Sequence, residues 1–259
     1  FKSELEALRP VVDKQKSELQ GFVKTLDKSA YGSVFTGKLD DILADIEKMQ
    51  GIRSSISSLS IERPAALGYY TKINTNIIDL VAYMANLSTD PRVSINFVSY
   101  ANFMRNKEFT GLERATGAGG FTAGSFTPAD LSKLESLLAS QEAYKGVFLT
   151  YASDTQRTLF DKVMNDAATK EVDKMEKIAL ENNPENVKTV TVAQWMDNIN
   201  KQISGMREVE ESFATDLIKT METELNRAGA DQISNLTIIA ITALVISVFS
   251  YIIARAIVS

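Results

Sequence analysis

The sequence contains neither cysteine nor histidine in its 259 residues. Their absence excludes the common zinc sites, Ser-His-Asp and Cys-His nucleophilic centres, haem ligation by histidine, and disulfides. An enzyme that works with carboxylates alone remains an alternative, but most common catalytic chemistries are closed to this chain. The sequence therefore favours a protein that is not an enzyme, and it predicts no metal and no other cofactor.

Positive charge and proline are also in short supply. Lys and Arg together number 28 against 33 Asp and Glu, which gives a net charge of −5 and a pI near 5.1. Nucleic-acid binding requires a basic face, so no nucleic-acid partner is expected. Only five prolines interrupt the chain, which permits long helices. An apolar fraction of 44% and a charged fraction of 24% are ordinary for a folded protein.

One long uncharged run lies near the C-terminal end of the sequence. It extends from Leu236 to Ala254, "LTIIAITALVISVFSYIIA", and holds 19 residues without a charge. That length is enough for a helix to cross a bilayer, so the run predicts a transmembrane helix over residues 233–258. Arg255 follows it and favours a cytoplasmic position for this end. Residues 1–232 are then expected to form a separate domain on the other side of the membrane.

Apolar residues recur at helical spacing through most of the remaining chain. Steps of four and three residues mark two successive helices, first at Ala66, Tyr70, Ile73, Ile77, Leu80, Met84 and Leu87, then at Val93, Phe97, Tyr100 and Met104. A further stripe runs from Leu131 to about Asn165, and the acidic "DDILADIE" segment is expected to be a solvated helix face. About six or seven helices and no convincing strand predict an all-α bundle, or two bundles that share long helices.

Local signals predict where several of these helices begin. Pro91 follows Asp90 at the first position of one helix. The pairs Thr127 with Asp130, and Thr191 with Gln194, have the spacing of capping boxes. No proline follows Thr191, so one long helix is expected from there towards the apolar run.

The glycine-rich stretch "KEFTGLERATGAGGFTAGSFTP", residues 107–128, is the most unusual part of the sequence. It lacks both the dinucleotide fingerprint and the Gly-Lys-Ser/Thr of a phosphate loop. Two interpretations remain open: a helix end with turn glycines, or a small-anion site lined by Arg114. Arg114 can equally pair with Glu108 or Glu113. A second arginine, Arg207, has an ion-pair partner at helical spacing in Glu211.

Three segments together resemble the nitrate- and nitrite-sensing (NIT) domain: "YYTKIN…LVAYMANLSTDP", the stretch from "KEFTGLERATGAGG" to "QEAYKGVFLTYA", and "TVAQWMDNINKQISGMREVEE". The resemblance covers nearly all of residues 1–228. It implies an all-helical sensor made of two packed four-helix bundles, with an anion pocket built from arginines. The family arginine of the ERA motif corresponds to Arg114, and that of the last long helix to Arg207. The family's N-terminal Leu-Gln-x-Glu-Arg-Gly motif is not matched, so its first helix is expected to be missing here.

On this basis the chain is expected to be the ligand-sensing region of a bacterial methyl-accepting chemotaxis receptor. Residues 1–232 would be periplasmic or extracellular and residues 233–258 would cross the inner membrane. Nitrate or nitrite would bind between helices, and the expected partners include a second copy in a homodimer. The last helix would carry the signal to a cytoplasmic module. The alternatives are a helical sensor for another ligand or a protein partner, and a membrane-anchored structural protein.

Overall fold

The computed structural model describes residues 2–228, and the side chains of residues 9–223 within them. All regular secondary structure in this part of the chain is helical, which confirms the predicted all-α class. The helices are α1 Lys2–Thr25, α2 Gly32–Glu47, α3 Met49–Ser57, α4 Arg63–Met84, α5 Pro91–Ala123, α6 Pro128–Tyr151, α7 Asp154–Met164, α8 Ala167–Glu181, α9 Pro184–Val187 and α10 Val192–Ala228, with a 3₁₀ turn at Lys28–Tyr31.

The chain divides into two compact units. Within the described residues, the first unit contains residues 2–101 and 214–228, and the second unit contains Asn102–Phe213. Helices α5 and α10 each contribute one part to the first unit and another to the second. Both units therefore share two continuous helices.

In the first unit, α2 packs along α4. The acidic α2 segment was expected to be a solvated face, but Asp45 is 4% exposed. Its carboxylate accepts hydrogen bonds from Lys72 at 3.0 Å and from Asn76 at 3.3 Å, and the Tyr69 hydroxyl donates to its backbone carbonyl at 2.7 Å. The expectation is therefore wrong at this position, because α4 supplies the polar partners that make its burial tolerable.

The core of the second unit is apolar and rich in aromatic rings. Phe148 packs edge-on against Phe103, with centroids 5.3 Å apart, and against Phe160 at 4.9 Å. A neighbouring cluster is formed by Phe121, Phe126, Leu134, Val172, Met175, Ala179, Val187, Val190, Trp195, Ile199 and Ile203. Because residues from α5, α6, α8 and α10 all belong to this cluster, it fixes those four helices beside one another.

The predicted helix starts are present. At Thr127 the hydroxyl accepts from the Asp130 amide at 3.2 Å, and the Asp130 carboxylate accepts from the Thr127 amide at 3.1 Å. Thr191 and Gln194 form the same reciprocal pair at 3.2 and 2.9 Å. Each pair satisfies two amide groups that have no partner within the helix, and α6 and α10 begin immediately after their caps.

The stripe that continues to Asn165 is divided between two helices. Helix α6 ends at Tyr151 and α7 begins at Asp154. Ser153 and Gln156 form a third capping box at this break, with hydrogen bonds of 3.3 and 2.9 Å. The apolar spacing passes through the break, so periodicity alone indicated a single helix.

The glycine-rich stretch is not a helix end at Arg114, because α5 continues to Ala123. Gly117 lies inside the helix, where a Cβ would come within 2.4 Å of the Trp195 ring. The helix ends only at Gly124, whose φ of +72° suits glycine. Close packing against Trp195, rather than a turn, therefore accounts for a glycine in the middle of this stretch.

None of the helices within residues 2–228 is long and apolar enough to cross a membrane. The transmembrane helix predicted over residues 233–258 lies outside the described residues.

Candidate functional site

The middle of α5 carries an unusual number of buried polar side chains. Buried residues in one stretch of this helix include Asn106, Lys107, Glu108, Thr110, Glu113 and Arg114. Charged side chains are seldom fully buried unless they have partners. Two residues of this group, Lys107 and Arg114, are completely inaccessible and carry positive charge. The geometry around these two cations defines the candidate site in the second unit.

Arg114 is held by contacts from α10. Its Nη1 donates to the side-chain oxygen of Asn200 at 2.7 Å. Its backbone carbonyl accepts a hydrogen bond from the Trp195 indole at 2.9 Å. Burial lowers the pKa of Arg114 to about 10, although the charge of Glu108 opposes that shift. The guanidinium thus remains a cation at neutral pH, in surroundings where a cation is poorly solvated.

The second buried cation is already neutralised. Lys107 forms an ion pair with Glu210 of α10, and both side chains are fully buried. Such a pair is costly to break, since removing one partner leaves the other charge in the protein interior. Lys107 therefore serves to join α5 to α10 through a buried ion pair.

Glu113 points its carboxyl towards other groups than Arg114. The side-chain nitrogen of Gln141 on α6 donates to this carboxyl at 2.8 Å, and the side-chain oxygen of Gln141 accepts from the Thr110 hydroxyl at 3.1 Å. Burial, followed by the charge of Glu176 on α8, raises the pKa of Glu113 well above its ordinary value. A raised pKa means that these surroundings favour the neutral acid over the carboxylate.

A groove of about 490 Å³ lies on the surface of the second unit beside Asn200. Lys162 and Lys201 line it, but each has a carboxylate partner: Lys162 lies 3.4 Å from Glu208, and Lys201 lies 2.7 Å from Asp197. Asn200 thus faces the groove and also contacts the buried guanidinium. The amide is the described link between the open groove and Arg114.

The second predicted arginine has a different environment. The side chain of Arg207 is 43% exposed, and its Nε donates to Glu211 at 2.9 Å. It lies seven residues beyond Asn200 on α10, which is about 10 Å of helix rise. The structure therefore places Arg114 in the interior of the second unit, in contact with Asn200, and it places Arg207 in the ion pair with Glu211 that its spacing had offered as an alternative.

Three residues that make polar contacts between α5 and α10 were not predicted from the sequence as site residues: Lys107, Asn200 and Glu210. A signal was present for two of them. On α5, the steps of four and three residues that lead from Val93 to Met104 reach Lys107 next. On α10, the same spacing places Glu210 between two buried apolar residues, Met206 and Phe213. A charged residue at a position of the apolar stripe, where the helix packs against its neighbours, indicates burial with a partner. For Asn200 the chain offers no comparable signal.

Comparison with known proteins identifies the class to which this fold belongs. The sequence model of the family described as nitrate and nitrite sensing (NIT) matches residues 1–218. The chain belongs to that family. This confirms the resemblance on which the site assignment was based.

Two particular proteins are similar to this chain. The nitrate regulatory protein of Klebsiella oxytoca is 22% identical over 225 residues, which cover 87% of this chain and 56% of that protein. The solved structure of the NasR transcription antiterminator has a TM-score of 0.71 at 21% identity and covers 88% of this chain and 62% of the other. That structure supports the helical fold. The chain spans little more than half the length of the curated relative.

These relatives correct the expected biological context. The prediction of a transmembrane chemoreceptor, with residues 1–232 outside the inner membrane, is wrong, because the similar proteins are a nitrate regulatory protein and a transcription antiterminator. The motifs that carry the resemblance lie within the helical region that the family model matches, so they contain no information about what adjoins it. The exclusion of a nucleic-acid partner is likewise withdrawn for the whole protein, since it rested on the charge of this segment alone.

Proposed function

We propose that this chain is a non-enzymatic sensor that binds nitrate or nitrite in its second unit, with Arg114 as the principal ligand. The observation that carries the proposal is the full burial of the Arg114 guanidinium, at the position of the family's ERA motif, in a chain that belongs to the nitrate- and nitrite-sensing family. Each unit is a bundle of helices. The second unit holds the anion between α5 and α10.

A planar oxyanion suits this environment. The guanidinium offers a flat fork of donors that matches two oxygens at once, and hydrogen bonds between charged groups are stronger than neutral ones. Nitrate and nitrite each carry one negative charge, which is attracted by a buried cation. The neighbouring Lys107–Glu210 pair is already neutral overall and needs no additional anion.

We retain Arg207 as a proposed second ligand with a different role. It lies on the same side of α10 as Asn200, because seven residues are close to two full turns. It is held by Glu211 at the surface, so anion binding requires it to exchange that carboxylate for the ligand. Its contribution is therefore expected to be smaller than that of Arg114.

The same two helices offer a route for the signal. Helix α5 crosses from one unit to the other at residues 101–102, and α10 crosses at 213–214. A ligand that favours one packing of α5 against α10 shifts the population of that packing by its differential affinity for the two states. The shift reaches the first unit through continuous helix. The predicted homodimer and the module that receives the signal stay predictions.

The proposal is tested by titration calorimetry of the purified chain with sodium nitrate and sodium nitrite, with chloride and sulfate as comparison anions. Arg114→Lys keeps the charge but loses the fork, and we expect it to weaken nitrate binding about 10- to 100-fold, the range of a lost charged hydrogen bond. Arg92→Ala is the matched control, since Arg92 pairs with Asp90 in the first unit.

Two results contradict the proposal. One is the absence of binding heat with nitrate and nitrite in the wild-type protein. The other is an Arg114→Lys affinity equal to that of wild type. Circular dichroism of each variant shows that the helices are retained, which separates loss of the ligand site from loss of the fold.

A further inference from the structure

We propose that Glu113 and Glu176 share one proton, and that this proton holds α8 against α5 in the second unit. The ligand of this site is the proton itself, and its loss at higher pH is expected to loosen α8. The inference goes beyond the proposed function and does not depend on it, because it uses neither Arg114 nor an anion.

The carboxyl group of Glu113 lies in the protein interior, since the residue has no exposed surface. Its Oε2 accepts a hydrogen bond from the side-chain nitrogen of Gln141 at 2.8 Å. Its Oε1 is buried as well, and no donor among the described residues reaches it. A buried acceptor without a donor is destabilising, whereas a proton on Oε1 makes the same atom a donor.

Glu176 of α8 supplies the acceptor for that proton. Its carboxyl group lies within hydrogen-bonding reach of Glu113. Two ionised carboxylates repel each other strongly at such a distance, whereas an acid and a carboxylate form one charge-assisted hydrogen bond. Glu113 is fully buried and Glu176 is half-buried. The proton therefore resides on Glu113 and the negative charge on Glu176, which is the better solvated of the two.

Gln141 of α6 is positioned to support the neutral form of Glu113. Its side-chain oxygen accepts from the Thr110 hydroxyl at 3.1 Å, which leaves its side-chain nitrogen for Glu113. Its backbone carbonyl accepts from Asn106 at 2.7 Å. Hydrogen bonds thus already join α5 to α6, and the proton adds the bond from Glu113 to α8.

The other charges that face the pair do not replace the proton. Burial raises the pKa of both carboxyl groups, and the charge of Asp173 on α8 acts in the same direction. Lys177, an exposed residue of α8, lowers the pKa of Glu176. From α6, the group that contacts Glu113 is the neutral amide of Gln141. The pair therefore has to keep one proton in order to stay together.

Loss of the proton is expected to act on α8. The proton leaves to water from the half-buried side of the pair, and both carboxyl groups are then charged. One of them has to reach solvent. Helix α8 is the element that can separate, because it has only 15 residues whereas Glu113 lies in the middle of the 33-residue α5.

The shared proton is tested by ¹³C NMR of the glutamate carboxyl carbons in the whole chain, titrated with base. We expect the Glu113 carbon to titrate above the ordinary range of glutamate. In Glu176→Gln its midpoint is expected to fall by at least about one pH unit, a tenfold loss of proton affinity, because coupled carboxyl groups perturb each other by more than this. An unchanged Glu113 midpoint in Glu176→Gln overturns the proposal.

The matched control is Glu171→Gln. It removes a carboxylate from the same helix, where Glu171 is exposed and pairs with Lys174. Because solvent and salt screen an exposed charge, the Glu113 midpoint is expected to stay within about 0.3 pH units of wild type. An equal fall of the midpoint in both variants indicates a general effect of charge on α8 and overturns the shared proton.

Amide hydrogen exchange tests whether α8 depends on the proton. Protection factors, which correct for the pH dependence of exchange itself, are expected to fall about tenfold in α8 between about pH 5 and about pH 8. Glu113→Gln mimics the protonated acid, since its nitrogen can donate to Glu176 while its oxygen accepts from Gln141. Its α8 protection is therefore expected to be independent of pH, whereas Glu171→Gln should behave as wild type.

Two results of the exchange experiment contradict the proposal. One is an α8 protection factor in wild type that does not change with pH, or that changes equally in Glu113→Gln. The other is low protection of Glu113→Gln at every pH, which identifies a carboxylate with a merely structural role. If a variant fails to fold, the wild-type titration still decides, because a Glu113 carbon that titrates in the ordinary range overturns the shared proton. Nitrate binding is measured separately, so its absence contradicts the proposed function alone.

Discussion

Replacing Gly117 by alanine perturbs the packing that positions Arg114. A Cβ at this position would lie 2.4 Å from two carbons of the Trp195 ring. Ordinary contacts begin near 3.4 Å, so the ring would have to move by about 1 Å. Trp195 is 1% exposed and packs against Phe121 with ring centroids 5.4 Å apart, which leaves little room for that movement.

Three contributions set the expected size of the effect on the free energy of unfolding. Overfilling a packed core costs about 1–3 kcal/mol. Moving the Trp195 indole weakens its 2.9 Å hydrogen bond to the Arg114 carbonyl, and a bond of this kind is worth about 0.5–1.5 kcal/mol. Alanine is a better helix former than glycine by about 1 kcal/mol, which offsets part of the loss. The net expectation is a destabilisation of about 2 kcal/mol.

Urea denaturation followed by circular dichroism measures this difference. Gly146→Ala is the matched control, because Gly146 also lies inside a helix but has nothing within 4 Å of its Cβ position. The control is expected to gain about 0.5–1 kcal/mol from helix propensity alone. The two variants should therefore change stability in opposite directions. A Gly117→Ala protein as stable as Gly146→Ala refutes the close packing of α5 against Trp195.

Two further changes test the buried charges of the second unit. Lys107→Met leaves the Glu210 carboxylate buried without its lysine, so we expect the free energy of unfolding to fall by about 3–5 kcal/mol. The double variant with Glu210→Leu should recover most of that loss. A loss below about 1 kcal/mol in the single variant contradicts the buried pair. The pKa of Glu113 is raised above 4.5 by burial, so its contribution to stability is present below pH 4.5 and is lost as the pH rises towards the folded value. The urea midpoint should therefore fall less between pH 4.5 and 7.5 in Glu113→Gln than in wild type, and parallel curves would argue against the shift.

Much of the fold was predictable because its signals are local. A threonine at a helix start needs only a side chain three residues later, as Thr127 shows with Asp130 and Thr191 with Gln194. The break before Ser153 had the same kind of signal in Gln156 and was missed, because the apolar stripe continues through it. Caps therefore locate these boundaries better than periodicity does.

The end of α5 could not be predicted locally. Glycine favours helix ends, so the glycines after Arg114 indicated a turn there. Gly117 instead makes room for Trp195, which belongs to a helix far along the chain. Only tertiary packing distinguishes the two causes.

The residues of the candidate site also differ in whether local sequence signals or tertiary packing identify them. Arg114 was identified through the family motif. Its burial agrees with its position on α5, because it lies on the same side of the helix as Met104 and Lys107. The contact of Asn200 with Arg114 depends on the packing of α10 against α5, and no residue close to Asn200 in the sequence indicates that contact. The position of Arg207 shows the opposite case, in which the simple i,i+4 pairing with Glu211 describes the observed contact.

The most direct test of the central claim is a crystal structure of the protein grown in sodium nitrate. We predict a planar anion bound between α5 and α10, within about 3.2 Å of a guanidinium nitrogen of Arg114. A nitrate bound at another place, with Arg114 Nη1 still on the Asn200 oxygen, would contradict it.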